Sequence, residues 1–118
     1  MCGRAYETYT DEELEMRYLH KKVRLPSLRD IKPNYNMAPT HTSPVVLIKN
    51  KKRTIDIYRW GLVPGWAKDL KMAAKYSLIN ARGEEITEKR TYKDPFKKRR
   101  CIVPLSVFYE WKRPESRP

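Results

Sequence analysis

The chain has 118 residues, 26 Lys and Arg against 14 Asp and Glu, and a formal net charge of +12. That length sets one domain with a modest core as the expectation, and two cysteines with two histidines exclude a disulfide framework or a finger-type metal site. No apolar run approaches the ~20 residues of a membrane span and the N-terminus has no apolar signal core, so a reducing, cytoplasmic setting is expected.

The cationic surplus points to a polyanion, with nucleic acid first. An anionic membrane surface would need an amphipathic helix with a Lys/Arg-rich face. The best helix candidate here starts acidic, so no membrane contact is expected. A merely soluble basic surface is the plainer reading of the same charge.

In chain order, Met1-Cys2-Gly3-Arg4 comes first. Initiator methionine is trimmed ahead of a small side chain, which would leave Cys2 with a free α-amine beside its thiol. An α-amine has a pKa near ~8 against ~10.4 for lysine. It can attack an aldehyde to form a Schiff base, as catalytic lysines do. The thiol can then close on the imine carbon to give a thiazolidine. Alone the signal is weak, because cytosolic chains start Met-Cys by chance.

Thr10 with Glu13 three residues on reads as a capping box opening a helix to about His20. Leu14 and Tyr18, with Met16 and Leu19, are expected to face a core. Residues 21–44 read as a long loop punctuated by Pro26, Pro33, Pro39 and Pro44. Residues 45–49 and 54–60 read as the strands of a hairpin bridged by residues 50–53. A Gly/Pro-rich turn carrying Trp66 follows. Residues 77–82 are expected to be extended, 84–90 to form one or two helical turns, and 101–104 and 107–111 to be strands. Residues 113–118 read as a loop.

Five segments then stand in order: Met1-Cys2-Gly3-Arg4, Tyr35-Asn36-Met37-Ala38-Pro39-Thr40, Trp60-Gly61-Leu62-Val63-Pro64-Gly65-Trp66, Ile79-Asn80-Ala81-Arg82-Gly83-Glu84, and Arg100-Cys101-Ile102-Val103-Pro104 with Phe108-Tyr109-Glu110-Trp111. Jointly they resemble the SRAP (SOS response-associated peptidase) family of abasic-site processing proteins. The resemblance implies an α+β fold, mainly antiparallel β, in an open or barrel-like sheet with a few short helices. It also implies that residues 1–118 are the N-terminal part of a single SRAP domain. Family domains continue past the glutamate strand and supply a histidine that nothing here matches. An isolated fragment, a shortened gene, and a chain completed by a separate C-terminal half are the competing explanations.

The implied activity is recognition of abasic sites in single-stranded DNA and their capture on Cys2 as a thiazolidine crosslink. AP-lyase and self-processing peptidase steps are implied as side activities, with no cofactor or metal. In a bacterial cell the setting would be nucleoid-associated. Non-covalent single-stranded nucleic-acid binding, or an inactive remnant, are the rival readings.

The resemblance makes Cys2 the nucleophile, Glu110 the acid/base and Asn80 the amide that orients the terminal cysteine and sugar. Glu110 stands in an apolar aromatic run, where a carboxylate would have a raised pKa. Strand alternation instead sets it opposite Tyr109 and Trp111, on a solvent face. Asn80 also reads as a turn amide. Arg4 and Arg82 offer forked donors to phosphate, although a solvated surface arginine is the commoner fate. Asn36 and Pro39 fall where the family has a DNA-contacting loop, and Arg90 matches a phosphate-contacting arginine. Trp66 is expected to stack on an unpaired base, worth ~1–3 kcal/mol, while Trp60 and Trp111 are expected in the core. The basic cluster at 97–100, interleaved with Tyr92 and Phe96, fits a backbone-tracking groove. Cys101 is expected to be a buried strand thiol and His41 a local surface residue.

Overall fold

The computed structural model describes residues 2–76 and 78–114. Strand β1 (Arg4–Glu7) leads into helix α1 (Asp11–Leu19), followed by a 3-10 turn (Pro26–Leu28) and strands β2 (Asn34–Met37), β3 (Thr42–Lys49) and β4 (Lys52–Arg59). Helices α2 (Leu70–Ala74) and α3 (Arg90–Lys98) precede β5 (Val107–Tyr109). Two antiparallel sheets result, ordered β2-β1-β5 and β3-β4. Among the described residues they form no closed barrel, so the α+β expectation stands in its open-sheet version. No described helix is long and apolar enough to cross a membrane.

The capping box forms. Glu13 N–H donates to the Thr10 hydroxyl at 3.1 Å, and the Glu13 carboxylate accepts from the Thr10 amide at 3.4 Å. Helix α1 ends on His20 in the left-handed conformation, φ 59°. Leu14 is fully buried with Leu28, Val46 and Ile55, and Tyr18 and Leu19 pack on that cluster. Met16 is 47% exposed, contrary to expectation. The residue that helical spacing cannot reveal is Glu15, which is buried. Its carboxylate accepts from the amides of Val23 and Arg24 at 2.6 and 3.2 Å. It thereby ties down the chain leaving α1, whose backbone donors would otherwise lack partners.

The 21–44 loop expectation is corrected, because the segment contains the 3-10 turn and β2. The proline spacing leaves room for both. The hairpin is confirmed and tighter than expected. Only Asn50 and Lys51 form its turn, with φ of 50° and 63°, the mirror-image geometry that suits strand twist.

Two later expectations fail. Leu78 and Ile79 form a turn rather than an extended segment, held to the preceding loop by the Leu62 amide at 3.4 Å from the Leu78 carbonyl. Ser77 lies outside the described residues. Of 101–104, only Ile102 pairs, in an isolated antiparallel bridge to Val46 of β3. The helical turn expected within 84–90 does form, the Glu85 carbonyl accepting from the amides of Glu88 and Lys89, and α3 follows. That helix tolerates Pro95 in its interior, giving up one intrahelical bond.

Glu7 is 3% exposed on the inner face of β1, beside Ala5 and Met37. Burial pushes its carboxyl above the usual range, the Tyr9 amide opposes that, and Glu13 adds to it. A raised folded-state pKa contributes stability at acidic pH that is lost as pH rises through the folded value. Glu7→Gln keeps an oxygen acceptor for Tyr9 and cannot ionise. The variant is therefore expected to melt higher than wild type at pH 7, with the gain vanishing below about pH 4, as followed by thermal circular dichroism.

Candidate nucleic-acid interface and Cys2 site

Strand β1 is the centre of its sheet, and it positions the N-terminal segment. Arg4 pairs with Tyr109 in antiparallel register. Glu110, one residue past β5, therefore lies at the same end of the sheet as Gly3 and Cys2. On the other side Arg4 Nη1 donates to Asn36 Oδ1 at 3.1 Å. Asn36 is fixed in turn by its amide, which donates to Asn34 Oδ1 at 3.1 Å. His41 closes the turn that follows β2, where its Nδ1 accepts from the Ala38 amide at 3.2 Å. His41 is exposed, as expected of a local residue, and it also braces the turn after β2.

Asn80 is the long-range contact. Its Nδ2 donates to the Cys2 carbonyl at 3.0 Å across 78 residues of sequence. The Cys2 thiol is half-buried and lies 4.0 Å from the Arg4 carbonyl. Cys2, Arg4, Asn36, Asn80 and Glu110 therefore gather around one end of the β2-β1-β5 sheet. Met1, whose removal is expected, lies outside the described residues.

The remaining predicted residues are more dispersed. Pro39 is half-buried and lines a cavity of about 150 Å³ with Trp60, Leu62, Ala73 and Ile79. Trp66 is half-buried and stands edge-on to Tyr76, ring centroids 5.1 Å apart at 89°. Arg82 is exposed in the turn after Asn80, and Arg90 is exposed at the start of α3. Glu110 is also exposed, and its neighbours Phe108, Tyr109 and Trp111 are exposed with it. The apolar enclosure expected around this carboxylate is absent among the described residues. Trp111 is 94% exposed, which corrects its assignment to the core, and Trp60 is half-buried. Cys101 is exposed rather than buried.

Two features escape the sequence reading. The outer face of β1 and its neighbours carries Tyr6, Tyr35 and Tyr109, with Tyr6 centroids 6.1 and 5.9 Å from the other two. The Tyr109 hydroxyl donates to the Tyr35 carbonyl at 3.2 Å. Alternation in β1 (exposed Arg4, buried Ala5, half-buried Tyr6, buried Glu7) was the available signal. The second is an open apolar groove of about 390 Å³ between Trp60, Leu62, Ile79 and the Tyr92–Phe96 side of α3. Arg100 lies over the Phe96 ring at 5.6 Å, placing a cation at the groove rim. No group of three or more His, Cys, Asp or Glu able to hold a metal occurs among the described residues.

The family described as SOS response associated peptidase (SRAP) matches residues 1–118. The chain belongs to the SRAP family. Among curated SRAP relatives it is similar to abasic site processing protein YoaM of Bacillus subtilis, 36% identical over 121 residues. That match covers 99% of this chain and 50% of YoaM. Abasic site processing protein YoqW of Bacillus phage SPbeta is 35% identical over 113 residues, 96% of this chain and 49% of the relative. Abasic site processing protein HMCES of Mus musculus is 35% identical over 130 residues, 96% of this chain and 37% of the relative. No solved structure matches the chain. This SRAP chain spans about half the length of the bacterial and phage relatives it matches.

Proposed function

We propose that the protein processes abasic sites in DNA, binding single-stranded DNA and capturing the lesion covalently on Cys2. The observation that carries this reading is the 3.0 Å bond from Asn80 to the Cys2 carbonyl, which fixes the N-terminal residue from a distant loop. The names of its SRAP relatives supply the substrate class.

The chemistry follows from the groups present. After loss of Met1, the Cys2 α-amine adds to the ring-opened sugar aldehyde, and water leaves to give an imine. The thiol then adds to the imine carbon and a proton passes to nitrogen, closing the thiazolidine with net loss of one water. Glu110, at the same end of the sheet, serves as proton donor and acceptor for these transfers. Asn80 holds the backbone of the reacting residue. The imine also acidifies the neighbouring sugar C–H, so β-elimination is a side reaction of the same site. A peptidase-like self-processing step, or methionine trimming, would expose Cys2.

Arg4, Asn36, Pro39, Trp66, Arg82 and Arg90 are assigned to the DNA strand. Cations take phosphates and Trp66 takes a base. The chain is read as the N-terminal part of one SRAP domain. A C-terminal half of the same domain would cover exposed Ile102, Phe108 and Trp111. The second reading, a non-covalent single-stranded nucleic-acid module, is favoured by the exposed cations of α3 and the segment after it.

Incubation with a single-stranded oligonucleotide carrying one abasic site, then a denaturing gel, separates the two. The expected result is a denaturation-resistant band with the abasic strand and none with the intact strand. Salt-sensitive binding that is lost on denaturation, with no such band, would establish the second reading instead.

A further inference from the structure

Asn80 stands in a loop, not in a strand or helix. Ala81, Arg82 and Gly83 after it are exposed, so little packing restrains the loop on that side. Yet its carboxamide reaches the Cys2 carbonyl at 3.0 Å. A hydrogen bond between two exposed groups holds a geometry only when the groups are themselves restrained. Besides the Leu62 bond that holds the preceding turn, the restraint on Asn80 itself is the hydroxyl of Tyr92, which donates to the Asn80 carbonyl at 3.0 Å. Tyr92 is half-buried, lies in the first turn of α3 and lines the apolar groove with Trp60, Ile79 and Phe96. Its ring is thereby held by packing while its hydroxyl holds the loop.

We infer that Tyr92 is a positioning residue for Cys2, acting through Asn80, and that it joins the basic helix α3 to the N-terminal site. The inference rests on the covalent-capture reading above. Its link runs from Tyr92 hydroxyl to Asn80 carbonyl, and from Asn80 carboxamide to Cys2 carbonyl. The cations of α3 (Arg90, Lys93, Lys97 and Lys98) lie on the same helix. A strand held along that helix is held by the element that sets the reacting amine.

The test is Tyr92→Phe, which removes one oxygen and keeps the ring in the groove. Single-turnover adduct formation is measured against oligonucleotide concentration. The maximal rate is expected to fall about threefold to tenfold, the equivalent of one net hydrogen bond. The half-saturating DNA concentration is expected to stay unchanged. A Lys97→Ala/Lys98→Ala variant is expected to raise the half-saturating DNA concentration, which Tyr92→Phe does not. In an Asn80→Ala background, Tyr92→Phe is expected to add no further loss, since the two act in series.

A Tyr92→Phe variant with an unchanged maximal rate, or with additive loss on Asn80→Ala, overturns the inference. So does one that changes only half-saturation. A second measurement needs no DNA: the Asn80 carboxamide resonances of the free protein, which are expected to shift in Tyr92→Phe. If they stay in place, the link is refuted whatever the chemistry. If they shift while wild type forms no adduct, the link stands, and the capture reading and the rate role built on it both fall.

Discussion

Replacing Cys2 with alanine is expected to abolish the denaturation-resistant adduct with abasic single-stranded DNA. Non-covalent affinity should stay within about twofold, as for a substitution that disturbs no buried contact. The variant separates the two halves of the aminothiol. Alanine is also small enough for methionine trimming and keeps the α-amine, so the Schiff base can still form. Borohydride present during the incubation should therefore trap an adduct in Cys2→Ala that does not survive without it. In wild type the sulfur closes the ring, and the adduct should persist with no reductant. Equal unreduced yields from the two proteins would place the bond elsewhere on the chain.

The second large effect is on stability. Leu14 is fully buried against Leu28, Val46 and Ile55, at the point where α1 meets the β3-β4 hairpin. Leu14→Ala removes its buried methyl groups and leaves a cavity, at an expected cost of about 2–5 kcal/mol in urea denaturation. A domain of this length has only about 5–15 kcal/mol in total. Leu70, on the outer face of α2, is 56% exposed, and Leu70→Ala should change stability by less than about 0.5 kcal/mol. Because α1 follows β1 directly, the core variant should also weaken adduct formation by loosening the strand that carries Cys2. The surface variant should leave it alone.

What the sequence makes legible here is mostly local chemistry. A threonine with a glutamate three residues on satisfies donors in both directions, and α1 starts there. Two β-rich runs around a polar bridge pair as a hairpin. The five motif segments identify the family without any coordinates, and they bring Cys2, Arg4, Asn36, Asn80 and Glu110 to one sheet end.

What the sequence hides depends on long-range partners. Glu15 reads as one more acid on an exposed helix face, until the amides of Val23 and Arg24 turn back on it. Tyr92 reads as an aromatic between cations, and only the fold shows its hydroxyl on the Asn80 loop. Helix α3 is obscured by Pro95 and by a run of like charge, both of which disfavour a helix locally. Trp111 and Cys101 read as strand residues of a core, but β5 is a short edge strand and the Cys101 segment pairs only at Ile102. Apolar content alone could not tell which of these positions the folded chain covers.

The central claim is a bond between a sugar carbon and the amino-terminal cysteine, and peptide mass spectrometry of the adduct tests it most directly. Wild-type protein is incubated with an abasic oligonucleotide without reductant, both components are digested, and the modified peptide is sequenced. The expected species begins at Cys2, lacks Met1, and carries the sugar remnant on that residue with net loss of one water. A remnant on a lysine or on Cys101, or on a peptide that still begins with Met1, would contradict the account.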